Sequence, residues 1–216
     1  MQLRTALRNT VFAAALIGLG AASTLALQQP GDRVEPGPAP EFANMSKKDL
    51  AAMMELAGGR AAAHDRLAFM VGKSEHDVSM TMGQGIPDMT AEAVGEGEWA
   101  LGKRFVITHT RPAPGEEMPT EAMNIFGYDT RKEEYFWIGL DTMGTYFVTA
   151  FGNYDEATKT FTLLGEETHE RIGKVRHRML ITVNDDKLST SAIEFELEPG
   201  TGKWSRIVKM ESRKLP

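Results

Sequence analysis

The sequence reads Phe126-Gly127-Tyr128-Asp129-Thr130-Arg131-Lys132 at one point and Phe151-Gly152-Asn153-Tyr154-Asp155-Glu156-Ala157-Thr158-Lys159 shortly after it. These two stretches are nearly repeated, and each is followed by a segment that carries aromatic residues. Asp and Gly at such positions are typical of tight turns, and alternation of apolar and polar residues is typical of half-buried strands. The interval 90–167 therefore predicts a meander of antiparallel strands.

Alternating segments before and after this interval bring the number of predicted strands to ten. Most of them are joined by short turns, and no helix intervenes. Because closure removes the exposed edges of a sheet, we predict a mainly β fold, an up-and-down antiparallel β-barrel of about ten strands. A two-sheet sandwich is the alternative. The predicted strands are 74–82, 90–99, 103–111, 119–128, 133–142, 144–153, 159–167, 173–183, 188–198 and 203–213.

The first 26 residues have the three parts of a secretory signal peptide. Arg4 and Arg8 form a basic region, an uncharged apolar run follows, and Thr24-Leu25-Ala26 offers small residues at a cleavage site. An uncleaved membrane anchor is the alternative, because the uncharged run is nearly long enough to span a bilayer. We predict cleavage of residues 1–26 and a periplasmic or secreted protein.

Three further segments follow the predicted signal peptide. Residues 27–45 are rich in proline and predict a disordered linker. Residues 46–72 predict two short helices, the first beginning with Ser46 and Asp49 in the positions of a capping box. We expect these helices to plug one end of the barrel or to pack on its wall. Residues 73–216 form the predicted barrel domain.

Composition excludes several classes of site and partner. The chain of 216 residues has no cysteine, so disulfides, thiolate metal sites, cysteine nucleophiles and a lipoprotein anchor are excluded. Removal of the signal changes the net charge from −6 to (24 − 2) − 30 = −8. An acidic domain lacks the basic surface that binds nucleic acid or anionic lipid. We expect charged outer faces, no nucleic-acid partner and no stable membrane insertion after cleavage; protein partners and oligomeric state are not predicted.

Several short motifs together resemble one bacterial protein family. They are His64-x-x-Leu67, Val71-Gly72, Trp99-x-Leu101-Gly102-x-Arg104-Phe105, Gly127-Tyr128-Asp129, Trp137-Ile138, Asp141-x-Met143 and Gly152-x-Tyr154-Asp155-x-x-Thr158-Lys159. In this order and spacing the chain resembles domain-of-unknown-function family 1579 over roughly residues 61–213. The resemblance implies a lipocalin-like (calycin-like) barrel and no established activity.

The sequence departs from this family at the start of the first strand. The resemblance implies a tryptophan two residues after Gly72, where this chain has Ser74. The missing ring removes a large plug from one end of the predicted barrel. Either Trp204 or methionine side chains fill the space, or the cavity is wetter than in relatives.

No catalytic signature occurs in the sequence. Phosphate-binding glycine loops, His-Glu-x-x-His and Gly-x-Ser-x-Gly are all absent. We therefore predict a non-enzymatic protein without a cofactor that binds a small apolar or amphipathic molecule inside its barrel. A structural or interaction module with a filled barrel is the alternative, and a haem or copper carrier is a third hypothesis. The residues predicted to line the interior are Phe105, Ile107, His109, Tyr135, Trp137, Phe147, His177 and Met179.

Two groups of residues carry the third hypothesis. His109 and His177 share strand faces with apolar residues, so either could be a haem ligand, although a buried, hydrogen-bonded histidine explains the pattern as well. His76, Met80 and Met82, with Met89 just beyond them, combine imidazole and thioether groups that suit Cu(I). The alternative is that the methionines only fill core space, as methionine commonly does.

Overall fold

The computed structural model describes residues 46–49, 51–52, 59–81, 87–117, 120–169, 173–196, 198 and 200–216. The predicted signal peptide and the proline-rich linker lie outside these residues. The chain divides into two units, of which one contains Ala62–Pro216 and the other is Ser23–Ala61. The barrel and the helix that enters it belong to the first unit.

Ten antiparallel strands close into one barrel, in which each strand pairs with its neighbours in sequence and β1 pairs with β10. The prediction of an up-and-down barrel is thereby confirmed, and the sandwich is excluded. The strands are β1 (Gly72–Met80), β2 (Met89–Ala100), β3 (Phe105–Pro112), β4 (Ala122–Asp129), β5 (Glu134–Asp141), β6 (Phe147–Asp155), β7 (Thr160–His169), β8 (Gly173–Val183), β9 (Leu188–Glu196) and β10 (Trp204–Lys214).

A 3-10 helix over Ala62–Met70 partly covers one end of the barrel. Its Leu67 is 1% exposed and belongs to the main core, while Phe69 stacks on Phe161 with ring centroids 5.9 Å apart. The Tyr135 hydroxyl donates a hydrogen bond of 2.9 Å to the carbonyl of Ala63. The predicted second helix is therefore present, and it lies at the barrel end at which β1 begins.

The first predicted helix falls in the other unit. Residues 47–49 and 51–52 are helical, and the backbone N–H of Asp49 donates a hydrogen bond of 3.1 Å to the Ser46 hydroxyl. The predicted cap is thus present, whereas Leu50, Met53, Met54 and Ala57, the apolar positions expected along this helix, lie outside the described residues. Among the residues that the structure describes, no helix has the length and hydropathy to cross a membrane.

The register places the core inside the barrel. Val106, Phe126, Trp137 and Ala150 are consecutive cross-strand partners on β3 to β6, and all four are buried. On the inner face the small Ala150 lies beside the large Trp137, so volume is shared between neighbouring strands. A smaller buried cluster of Val175, Phe195 and Ile207 lies on β8 to β10.

The predicted inward face of β3 is wrong. Phe105, Ile107 and His109 lie on the outer face, opposite Gly127, Ile125 and Met123 of β4. The inner positions of β3 are Val106, Thr108 and Thr110. Both faces of this strand begin with apolar residues, so alternation alone does not choose between them. The choice is made by the turn 101–104, which pairs Trp99 with Val106 and Ala100 with Phe105.

The prediction that Phe147 lines the interior is also wrong. Phe147 is 56% exposed and pairs with Leu140 on the outer face of β6. The inner positions of this strand opposite β5 are Val148, Ala150 and Gly152, which are small because the rings of β5 occupy the space beside them. Tyr154, the last inner position, lies beyond β5 and packs on Phe161 of β7. Packing against Tyr135 and Trp137 therefore sets the orientation of β6.

The outer surface is not charged all round, contrary to the expectation from sequence. β1 and β8 to β10 carry acidic and basic residues outward, among them Glu75, Asp77, Arg176 and Arg178. β3 to β7 instead carry a set of outward apolar side chains. They are Phe105, Ile107, Met123, Ile125, Phe136, Ile138, Leu140, Phe147, Phe151 and Leu164.

Candidate functional site: a polar-sided cavity in the barrel

The barrel contains a cavity of about 110 Å³ beside the C-terminal end of the 3-10 helix. The helix packs towards Tyr128, Tyr135 and Phe161, so it leaves the β8–β10 side of this barrel end less covered. Residues 69–71, the turn 185–187 and Lys214 border the cavity there. The cavity is partly open, so a small molecule has a route into it.

The cavity has an apolar side and a polar side. Phe69, Phe126, Met179, Ile181 and Met210 provide the apolar side. The polar side consists of short hydroxyl, amide and imidazole side chains on inward positions of the strands. They are Ser74, His76, Thr108, Thr110, Asn124, Ser189, Ser191 and Ser212.

His76 is the centre of the polar side, and it is 8% exposed. Its Nε2 lies 2.9 Å from the Ser74 hydroxyl, and its Nδ1 lies 2.8 Å from the Ser212 hydroxyl. Burial lowers the pKa of His76 to about 4, against a smaller opposing effect of the Asp77 carboxylate. The imidazole is therefore neutral at physiological pH, with one nitrogen that donates and one that accepts.

A glycine on the neighbouring strand makes room for this histidine. Gly95 of β2 pairs with Ser74 of β1, and a side chain at Gly95 would overlap Nε2 of His76 and approach the Ser74 hydroxyl. Gly97, the next inward position, lies beneath the carbonyl of Met70 at the end of the helix. Both glycines are inside a strand because another group approaches the backbone closely.

A second chain of hydrogen bonds joins the core to the cavity. The Trp137 indole N–H donates to Oδ1 of Asn124 at 2.8 Å, and Nδ2 of Asn124 donates to the Thr108 hydroxyl at 3.3 Å. Thr108 borders the cavity, whereas Trp137 is 4% exposed and lies in the core. The ring of Trp137 therefore fixes the orientation of a cavity residue without bordering the cavity itself.

The geometry around His177 does not fit a haem. His177 is inside the barrel as predicted, but it is 2% exposed, and its ring lies 6.4 Å from that of Trp137 and 6.0 Å from that of Phe195. Its Nε2 lies 3.1 Å from the carbonyl oxygen of Thr149. Burial lowers the pKa of His177, so the ring is a neutral donor to that carbonyl. His109, the other haem candidate, is exposed on the outer face.

The surroundings of His76 also do not fit a copper site. The register places His76, Met80 and Met89 on the inner face, as the alternation predicts, while Met82 lies outside the described residues. Both ring nitrogens of His76 already have serine partners. Within the described part of the chain, no group of three or more His, Asp or Glu side chains is placed to hold a metal ion.

Four of the eight residues predicted to line the interior do face inward, namely Tyr135, Trp137, His177 and Met179. Only Met179 borders the cavity through an inward side chain; the other three pack in the core. His109 lies in the part of the β3 wall that borders the cavity, but its side chain is exposed on the outer face.

Sequence reasoning missed the polar side of the cavity. Ser189 and Ser191 alternate with the polar Thr190, and Ser212 lies between Glu211 and Arg213. Because their neighbours are also polar, no local pattern marks these serines as inward. Glycines at 95 and 97 within a predicted strand were the available signal, because they indicate close approach of a side chain.

Ser74, the position at which the sequence predicts a missing ring, borders this cavity. Ser74 faces inward and borders the cavity, and Trp204 does not replace the missing ring. Trp204 lies on the outer face beside Arg176 and Arg178, whose guanidinium carbons are 5.6 and 4.6 Å from its ring centroid. Met179 and Met210 line the cavity, so methionine side chains take up part of this space, and the comparison of its polarity with that of relatives stays a prediction.

Comparison with known proteins supports the fold. No curated protein matches the chain. Among solved structures, the chain is similar to the protein described as "Crystal Structure of Rv2717c from M. tuberculosis", with 11% sequence identity and a TM-score of 0.51. That match covers 72% of this chain and 99% of the other. The model of the DUF1579 family, described as "Protein of unknown function", matches residues 60–214. The chain, with its closed barrel, therefore belongs to the DUF1579 family.

Proposed function

We propose that this protein is an exported, non-enzymatic binding protein that holds a small amphipathic molecule inside its barrel. The observation that carries the proposal is the cavity of about 110 Å³ with one apolar and one polar side. Binding pockets commonly combine apolar walls with a few polar groups that orient the ligand. The cavity is smaller than the roughly 300–1,000 Å³ of pockets for drug-sized ligands, so the ligand has few heavy atoms.

Native mass spectrometry of protein purified from its own host tests this proposal. A small molecule retained by the wild-type protein is the expected result. Ser191→Phe should abolish retention, because Ser191 borders the cavity between Ile181 and Met210 and the added ring fills it. Ala192→Phe is the matched control, because Ala192 is the next residue and faces outward beside Leu180.

The two variants separate ligand loss from misfolding. Both are expected to keep the circular dichroism spectrum of a β-barrel. Retention of the same molecule by Ser191→Phe would contradict binding in the cavity. Persistent absence of any molecule from wild-type protein would favour the second candidate, a structural module. That candidate is supported by the rest of the barrel, where a buried cluster including Phe161, Leu163 and Trp137 fills the interior.

Export is supported by the sequence of residues 1–26 with its basic start, apolar run and small residues before the cleavage site. The mass of the mature protein from its host tests this part of the proposal. Cleavage after Ala26 gives a chain that begins at Leu27. A full-length mass in the membrane fraction would instead favour the uncleaved anchor.

A further inference from the structure

The polar side of the cavity offers hydrogen bonds without charge. Ser74, His76 and Ser212 form a continuous chain in which the imidazole bridges two hydroxyl groups. A neutral imidazole has one N–H donor and one acceptor nitrogen. One of the two serines must therefore donate to the ring, and the other must accept from it.

This arrangement leaves hydrogen-bonding capacity for a ligand. The serine that accepts from the ring keeps its own hydroxyl proton, and both serine oxygens keep lone pairs. Exchange between the two imidazole tautomers interchanges the roles of Ser74 and Ser212. The chain can therefore present a donor or an acceptor to a group that enters the cavity.

Other hydroxyl groups extend the same surface. Thr108 accepts a hydrogen bond from Asn124, whose Oδ1 is occupied by the Trp137 indole, so the Thr108 proton remains available to a ligand. Ser189 and Ser191 border the cavity from β9, and within the described residues neither hydroxyl is hydrogen-bonded to another protein group.

Charged side chains are confined to the ends of the inner wall. At the end beside the helix, Lys214 faces inward as the cross-strand partner of Ser74, and the turn carries Asp185, Asp186 and Lys187 at the cavity border. Asp141 and Glu167 are inward at the opposite end. Burial raises the pKa of the Glu167 carboxyl, which favours its neutral form. His76 and Ser212 lie one inward pair deeper than Ser74 and Lys214. A charged ligand group placed between His76 and Ser212 would therefore be desolvated further inside the barrel than the charged side chains of the border, and that arrangement is costly.

From these contacts, and resting on the proposed function, we infer that the ligand is a small uncharged molecule with a hydroxyl or carbonyl group that hydrogen-bonds to the Ser74–His76–Ser212 chain. Its apolar part lies against Met179, Ile181 and the other apolar residues of the cavity. Carboxylates and amines of the same size are poor ligands for the buried His76, although the cavity border carries both signs of charge, on Lys187 and Lys214 and on Asp185 and Asp186.

Three probes of matched length test the inference. 1-Pentanol, pentanoate and 1-pentylamine are titrated at pH 7 into ligand-free mature protein, and binding is followed by chemical-shift changes in heteronuclear NMR spectra. We expect 1-pentanol to shift the resonances of His76 and Ser191. The two charged probes should bind at least about tenfold more weakly, because they bury an unpaired charge.

Two serine variants on β1 test whether the hydroxyl of Ser74 makes the hydrogen bond to the ligand. Ser74→Ala removes an inward hydroxyl of β1, whereas Ser79→Ala removes an outward hydroxyl of that strand. We expect Ser74→Ala to weaken 1-pentanol binding by about threefold to tenfold, the usual effect of one lost neutral hydrogen bond. Ser79→Ala should bind 1-pentanol as the wild type does.

The outcomes separate this inference from the proposed function. Binding of pentanoate or 1-pentylamine in the cavity as tightly as 1-pentanol would overturn the inference and leave the binding function standing. Equal affinity of the two serine variants would also overturn it. If none of the three probes shifts any resonance of a cavity residue at millimolar concentration, both the inference and the proposed cavity fail.

Discussion

The buried position of His76 predicts a specific loss of stability in acid. The folded protein holds the imidazole at a pKa of about 4, and the ordinary value is 6.5. The unfolded chain therefore binds a proton at a higher pH than the folded chain. Stability should be constant well above pH 6.5 and should fall as the pH decreases from about 6.5 towards about 4.

The size of the effect follows from the two pKa values. At pH 5 the unfolded histidine is almost fully protonated, while the folded one is about one-tenth protonated. This difference corresponds to a loss of about 2 kcal/mol between pH 7.5 and pH 5. The two serine partners do not offset the loss, because the imidazole already uses both nitrogens when it is neutral.

Urea unfolding at pH 7.5 and pH 5 measures the loss when wild type is compared with His76→Gln. Other groups titrate equally in both proteins, so the variant should lose about 2 kcal/mol less than the wild type over this interval. His109→Gln, a change on the exposed outer face, is the control and should keep the wild-type loss.

A direct titration removes any dependence on the variant. The ring protons of His76 in the wild-type protein should shift with a midpoint near pH 4, as followed by NMR. A midpoint near 6.5, or equal pH dependence of wild type and His76→Gln, would refute the argument that burial keeps this ring neutral.

Three further substitutions test how the barrel is packed. Trp137→Ala should lower the free energy of unfolding by about 3–5 kcal/mol, because it removes a buried ring and leaves Asn124 without its indole donor; a loss under about 1 kcal/mol in urea unfolding would mean the ring is not core. Phe147→Ser should cost at most about 0.5 kcal/mol, because the ring is 56% exposed, and a cost like that of Trp137→Ala would place Phe147 inside. Gly165→Ala should cost about 1–3 kcal/mol, because the new methyl group would overlap His177 and the Thr149 carbonyl; an unchanged urea midpoint would contradict this close approach.

The fold could be predicted because its signals are local. Each strand carries its own period-two alternation, and each turn carries its own Asp, Gly or Asn, so all ten strands are found within a few residues of their predicted positions. The cap of the first helix and the position of the second were readable for the same reason. Closure follows from these elements, since ten short antiparallel strands joined by tight turns have no other way to remove both edges.

The inward face of a strand follows from polarity where the other face is clearly polar, whereas on β5 the inward Tyr135 and Trp137 alternate with apolar outward residues. On β8, Arg176 and Arg178 oppose His177 and Met179, and the prediction is right. On β3 and β6 both faces carry apolar residues, so the larger side chains were assigned to the interior, and Phe105, Ile107 and Phe147 were placed on the wrong side. Volume decided instead on β6, because the rings of Trp137 and Tyr135 leave room only for Ala150 and Gly152 opposite them.

The sequence by itself determined that this chain forms a barrel of about ten strands, lacks thiol chemistry and has a serine two residues after Gly72. Only the tertiary structure decided that Ser74 meets His76 and Ser212 around a cavity. β1 and β10 lie at opposite ends of the barrel domain and become neighbours when the sheet closes. A hydrogen bond between residues 136 positions apart depends on that closure, and no local pattern encodes it.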